Sequence, residues 1–168
     1  LRDVYKRQRL GHATSGERVC LEVRRWAGDF AHAPLDAGSP GQRARARHNV
    51  PGVREHAAAG YPLLREVALP ILRHALANGL SREAAMCHTL MQLVAHTEDL
   101  NLLHRGGAEG LRWARQQAHR FLADGGAFAH DWRPRLQQIA DAFVVRRLSP
   151  GGSADLLACS VFLLQQEG

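Results

Sequence analysis

The chain has 168 residues, of which 45% are hydrophobic and 23% charged, with a net charge of +6. This is enough for one domain of ordinary globular composition and excludes wholesale disorder. No run of about 18 uncharged apolar residues offers a transmembrane helix, and the charged opening residues show no signal-peptide h-region. Cys20, Cys87 and Cys159 lie far apart with no CxxC pair. That spacing disfavours a zinc ribbon or a disulfide scaffold and fits reduced thiols in the cytoplasm.

The basic residues are 21 Arg and one Lys. Arginine's planar fork suits bidentate contact with phosphate or carboxylate. The charge therefore permits a phosphate-rich partner, whether nucleotide, coenzyme or nucleic acid, without choosing among them. Solvated arginine faces in an Arg-biased composition are the plainer reading. The single Lys6 falls in residues 1–8, which resemble translated sequencing-adapter read-through, and the first residue is Leu. These eight residues are expected to be non-native, with the true start further upstream. They carry a net +2, so residues 9–168 keep +4 and the basic character survives.

Taken in order, the pattern is helical almost throughout. Thr14 and Glu17 read as a capping box, followed by Val19, Cys20, Val23, Trp26 and Ala27 at helical spacing to about Phe30. Residues 33–50 are a Pro/Gly/Arg-rich connection, long for a compact domain. A second helix is expected to start at Pro62, a good first helical residue. It should kink at Pro70 and end at Asn78-Gly79. Ser81 caps a third, mostly apolar helix. Gly106-Gly107 is the next break. A fourth helix is expected from about Glu109 to Ala123, a fifth from Pro134, and a last one capped by Ser153. That last helix is apolar nearly all round, so any part left exposed would call for a partner. The expected class is all-α: a bundle of about six helices, incomplete.

Three polar clusters sit at helix boundaries. Residues 147–155 place Ser149, Gly151, Gly152 and Ser153 at a helix start, where backbone N–H groups and the dipole favour anions. Asp155 would repel a bare phosphate there but suits a bridging Mg²⁺. The alternative is that Ser153 is an N-cap and Asp155 a dipole complement. Residues 98–107 hold Glu98, Asp99 and Asn101 before His104 and Arg105. The basic pair can simply complement a helix C-terminus, but carboxylates among Leu and Val ordinarily need a partner or a metal. Asp99 and Asn101 are candidate Mg²⁺ ligands. Residues 52–62 form a Gly-flanked turn in which Arg54 either contacts phosphate or pairs with Glu55.

In this order the clusters resemble the triphosphoribosyl-dephospho-CoA synthase family, whose members make the prosthetic-group precursor of citrate lyase and malonate decarboxylase. Residues 148–158, LSPGGSADLLA, are the most specific match. LLHRGG with its acidic-Asn lead-in comes next, then the Arg-Glu turn ending in Gly-aromatic-Pro. Leu100, His56 and Tyr61 depart from the family's usual small hydroxyl, acidic residue and Phe. The family's Pro-Lys-Pro-Gly and Gly-x-His-x-Asp-Met segments are missing. The resemblance therefore implies residues 9–168 to be the C-terminal part of a single domain about twice as long, inactive alone.

The resemblance implies transfer of the triphosphoribosyl group of ATP to 3′-dephospho-CoA with release of adenine. A ribose hydroxyl would attack C1 of the ATP ribose through an oxocarbenium-like transition state. On that reading Asp99, Asn101 and Asp155 hold Mg²⁺ and the triphosphate. Arg54, His104, Arg105, Ser149, Gly151, Gly152 and Ser153 contact phosphates. Glu98 or Glu55 takes the hydroxyl proton. The product would pass to the acyl-carrier subunit of a decarboxylase or lyase, and residues 20–30 incline towards malonate decarboxylase. No nucleic-acid or membrane partner is expected. A helical nucleic-acid-binding module is the alternative, suggested by Arg43, Arg45 and Arg47 but lacking an aromatic stacking motif. A helical metal hydrolase is disfavoured: there is no HExxH, and His88, His96 and His104 do not share a helix face.

Overall fold

A computed structural model describes residues 16–31 and 53–167, without the side chains of residues 29–31, 53 and 54. Thr14 of the expected capping box, Arg43, Arg45, Arg47 and the rest of the 33–50 connection lie outside the described residues. Every element within them is helical, as the apolar periodicity predicts: α1 (Gly16–Ala31), α2 (Val53–Ala58), α3 (Leu69–Ala77), α4 (Arg82–His96), α5 (Leu100–Ala123), α6 (Trp132–Val145) and α7 (Gly151–Gln165). A π-helical segment, Leu63–Ala68, leads into α3, and a 3₁₀ turn, Gly126–Phe128, follows α5. No described helix is long and apolar enough to cross a membrane.

The central helix is α4, packed against α3, α5, α7 and the 3₁₀ turn. Ser81 caps it as its sequence predicts, accepting the Ala84 N–H at 3.2 Å. One core forms where Met91 and Val94 meet Leu102, Ala114, Phe121 and Phe143. A second joins Val19 and Cys20 of α1, Leu64 and Leu69, Leu93 of α4, and Leu157 and Leu163 of α7. An Arg73–Glu167 ion pair ties α3 to the end of α7. Glu167 also accepts the Gly16 N–H at 2.8 Å.

Two expectations need correcting and three are sharpened. The segment 53–58, expected as a turn, is a helix. A helix does start at Pro62, which has helical dihedrals (φ −55°, ψ −37°), but it runs at once into the π segment. In that segment the Leu69 N–H reaches back to the Leu64 carbonyl, a five-residue step. Pro70 has no N–H to continue the regular ladder, and a π turn just before it absorbs the mismatch. The expected break at Gly106-Gly107 holds at Gly107, whose φ of 61° and ψ of −165° only glycine adopts readily, and the stretch before it is helical too, from Leu100. The fifth helix starts at Trp132, near Pro134 as expected. The last helix starts at Gly151 with Pro150 as its N-cap, so Ser153 lies inside it and is not its cap. That helix buries Ser153, Leu157, Ser160 and Leu163 but leaves Phe162 exposed.

Candidate functional site

The second and third clusters meet. Asp99, only 1% exposed, precedes α5. Its Oδ1 accepts the backbone N–H groups of Asn101 and Leu102 at 2.9 and 3.3 Å. Its Oδ2 accepts both the N–H and the hydroxyl of Ser153 at 2.8 and 2.9 Å. A Cβ on Gly152 would lie 3.3 Å from the Asp99 carboxylate, so a side chain there would crowd it. The second junction is apolar. A Cβ on Gly106 or Gly110 would sit 2.5 or 3.1 Å from Leu148 Cδ2, so the two glycines, on either side of the kink at Gly107, form a notch that seats Leu148. Sequence reasoning missed Gly110 and Leu148. The recurrence of glycine at 106, 107 and 110 was the available signal.

These junctions set an exposed edge. Asn101, His104 and Arg105 are exposed and, at i, i+3 and i+4, share one face of α5, with Leu102 and Leu103 buried behind them. Gly151 has no Cβ because the Asn101 side chain lies against it. Asp155 is exposed one turn further along α7 on the same side as Gly151. Ser149 is half-buried in the connection before α7. Glu98, exposed, directly precedes Asp99.

The first cluster packs on α1, where a Cβ on Gly60 would sit 3.1 Å from the Cys20 carbonyl oxygen. Glu55 and Tyr61 are half-buried, and Glu55 has an interaction partner. Arg54 belongs to α2, but its side chain lies outside the described ones. Burial raises the Tyr61 pKa, and the thiols of Cys159 and Cys20 add to the rise. Burial likewise raises Cys159, with Asp155 contributing. Tyr61 is thus close to Cys159, which stands one turn beyond Asp155. Burial pushes Cys20 up to about 11, so this buried thiol is no ready nucleophile. Burial lowers the His56 pKa, with Glu55 opposing.

Backbone strain concentrates here. Among the described residues, the non-glycine positions with positive φ are Tyr61 at 50° and Arg147 at 54°. One lies in the first cluster and one in the third.

The Mg²⁺ ligand set divides on this geometry. Asp99 is buried and its oxygens are taken by four donors. Asn101 and Asp155 reach the exposed edge. Among the described residues no group of three His, Cys, Asp or Glu is placed to hold a metal. One carboxylate and one amide suit an ion that keeps waters and arrives with substrate phosphates, not an all-protein cage.

Residues 8–168 match the sequence model of the family described as ATP:dephospho-CoA triphosphoribosyl transferase. The chain is 34% identical over 158 residues to the 2-(5″-triphosphoribosyl)-3′-dephosphocoenzyme-A synthase of Klebsiella pneumoniae, covering 91% of this chain and 52% of that one. For proteins named as probable synthases of the same kind, identity is 35% over 136 residues in Acinetobacter calcoaceticus (81% and 47% coverage) and 43% over 125 residues in Citrobacter koseri (74% and 41%). The chain spans about half the length of the curated relatives it matches. No solved structure matches.

Proposed function

Because the chain belongs to the ATP:dephospho-CoA triphosphoribosyl transferase family, we propose that its exposed α5–α7 edge binds the triphosphate of ATP for transfer of the triphosphoribosyl group to 3′-dephospho-CoA. The observation that carries this reading is the junction of the two most family-like segments. It sets Asn101, His104 and Arg105 beside the Gly151–Gly152 start of α7. The helix start offers N–H groups and a favourable dipole. His104 and Arg105 supply donors, Arg105 with a permanent charge.

In the reaction, the acceptor's ribose hydroxyl forms a bond to C1 of the ATP ribose. The bond from C1 to adenine breaks and the base leaves with its electron pair. The hydroxyl proton needs an acceptor. Glu98 is the better candidate because it is exposed at the edge, whereas Glu55 already has a partner. Arg54 belongs to the phosphate-contacting set through its motif, and Ser149 lines the approach to α7, whereas Ser153, expected as a phosphate contact, is buried with both donors on Asp99 and leaves the set. Mg²⁺ held by Asp155 and Asn101 with the phosphates would neutralise triphosphate charge. The reaction is cytoplasmic, and its product serves the acyl-carrier subunit of malonate decarboxylase or citrate lyase.

Calorimetry with ATP, ADP, AMP and inorganic tripolyphosphate, each with Mg²⁺, tests the binding reading. ATP and tripolyphosphate should compete, and affinity should fall with each phosphate removed. An oligonucleotide that displaces ATP and binds more tightly would favour the nucleic-acid module instead. Adenine release dependent on dephospho-CoA is then measured on the chain alone and on a fusion to the part of a relative that the chain does not span. Release by the fusion is expected. A fusion that binds ATP but releases no adenine would remove the transfer step from the proposal.

A further inference from the structure

We infer that Asp99 is a positioning residue rather than a metal ligand: its buried carboxylate clamps the first turns of α5 and α7 together and so sets the register of the phosphate-binding edge.

Its Oδ1 caps the start of α5 through Asn101 and Leu102, and its Oδ2 takes both donors of Ser153 in the first turn of α7. One carboxylate thus joins residues 54 positions apart in sequence. No cation pairs with it among the described residues. Two converging helix N-termini stabilise the anion instead, through oriented N–H groups and their dipoles. The glycine at 152 follows from this, since a Cβ there would press on the Asp99 carboxyl carbon and both oxygens at 3.3 Å. Ser153, whose side chain is wholly buried, takes part from inside the helix.

The clamp has a consequence for the edge. Asn101 is two residues after Asp99, and Gly151 is two residues before Ser153. Fixing Asp99 to Ser153 therefore fixes Asn101 against Gly151, with His104, Arg105 and Asp155 following one turn along each helix. A metal at Asp99 would have to displace one of these donors inside a site that water barely reaches.

The register consequence rests on the phosphate-binding reading, but the clamp does not. Amide hydrogen exchange tests the clamp alone. Asp99→Asn should speed exchange at the Asn101, Leu102 and Ser153 amides at least tenfold, and Asp155→Asn should leave all three unchanged. Mg²⁺ added with tripolyphosphate should not speed exchange at Ser153 in the unaltered chain. Full protection in Asp99→Asn, or faster Ser153 exchange on adding Mg²⁺, would overturn the clamp. The positioning role is read separately, as tripolyphosphate affinity well below each variant's unfolding temperature. Asp99→Asn should weaken binding about tenfold, and Leu72→Ala, a destabilised control in the α3–α4 core, should not. Equal loss in both variants would reduce Asp99 to a purely structural residue. If Asp99→Asn does not fold, Ser153→Ala replaces it, with a smaller loss in the same direction expected and no loss counting against the role. An unaltered chain that binds no tripolyphosphate would defeat the site reading while the exchange result still judged the clamp.

Discussion

Three described helix ends close with the same pair of hydrogen bonds, after α2, α3 and α6, and the last two contrast a glycine with an arginine. At the end of α3, the Gly79 N–H bonds the Leu76 carbonyl and the Leu80 N–H bonds the Ala75 carbonyl. At the end of α6, the Arg147 N–H bonds the Val144 carbonyl and the Leu148 N–H bonds the Phe143 carbonyl. Both are Schellman motifs, which require a left-handed residue at the first position past the cap. Gly79 meets the requirement at φ 84° without penalty, whereas Arg147 holds φ 54° with a full side chain. The left-handed conformation costs a non-glycine residue roughly 1–2 kcal/mol. The stop remote from the proposed site carries the relaxed residue. The stop that leads into Ser149 and Gly151 carries the strained, exposed, cationic one. Strain of this kind collects at functional positions.

The largest effect should come from the leucine after each stop. Leu148 is buried and seated in the Gly106–Gly110 notch. Leu148→Ala should destabilise the fold by about 2–5 kcal/mol in denaturant titration. Leu80 is only half-buried, and Leu80→Ala should cost about 1 kcal/mol. Equal losses would show that the notch adds nothing.

Gly106→Ala comes next. Its Cβ would sit 2.5 Å from Leu148 Cδ2 and force that side chain aside, at a cost of about 1–3 kcal/mol. Gly79→Ala, with open space around the new methyl group, should lose only about 1 kcal/mol, from backbone strain alone. Arg147→Gly should instead raise stability by about 1 kcal/mol and weaken tripolyphosphate binding severalfold by calorimetry. A gain in stability with unchanged binding would make Arg147 an incidental residue at its stop.

The smallest effect concerns the end of α5. After α5, the Ala127 N–H donates to His88 Nδ1 at 3.4 Å, and the His88 ring meets Phe128 edge-on. Burial first, and then the nearby His74, hold the His88 pKa below its ordinary 6.5. The unfolded chain therefore takes up this proton at higher pH than the folded one. The stability contributed by neutral His88 is present above pH 6.5 and is lost as pH falls through and below that value. His88→Asn should flatten part of the slope of unfolding free energy against pH below 6.5. His56, also lowered by burial, accounts for some of the remainder.

The helices were legible because their apolar residues recur at helical spacing, and Ser81 and Gly79 punctuate one of them with local chemistry. The start of α7 was not legible. Ser153 looks like a cap in sequence, but Asp99, 54 residues earlier, takes its donors and the cap falls three residues sooner, at Pro150. Asp99 was singled out as a ligand because a carboxylate among leucines needs a partner. The need was real, yet the partners are backbone N–H groups and a serine hydroxyl, which sequence spacing does not reveal. The π segment before Pro70 and the left-handed Arg147 likewise depend on how neighbouring turns close. In the candidate site, the residue types were visible and their shared edge was not.

The central claim is that these segments form one phosphate-binding edge. It is tested most directly by amide chemical-shift mapping of the chain titrated with inorganic tripolyphosphate and Mg²⁺. The account predicts saturable shifts concentrated at Asn101, His104, Arg105, Gly151, Gly152 and Asp155, with residues 132–145 largely unmoved. Shifts spread over the arginines of every face, or centred away from the starts of α5 and α7, would contradict it.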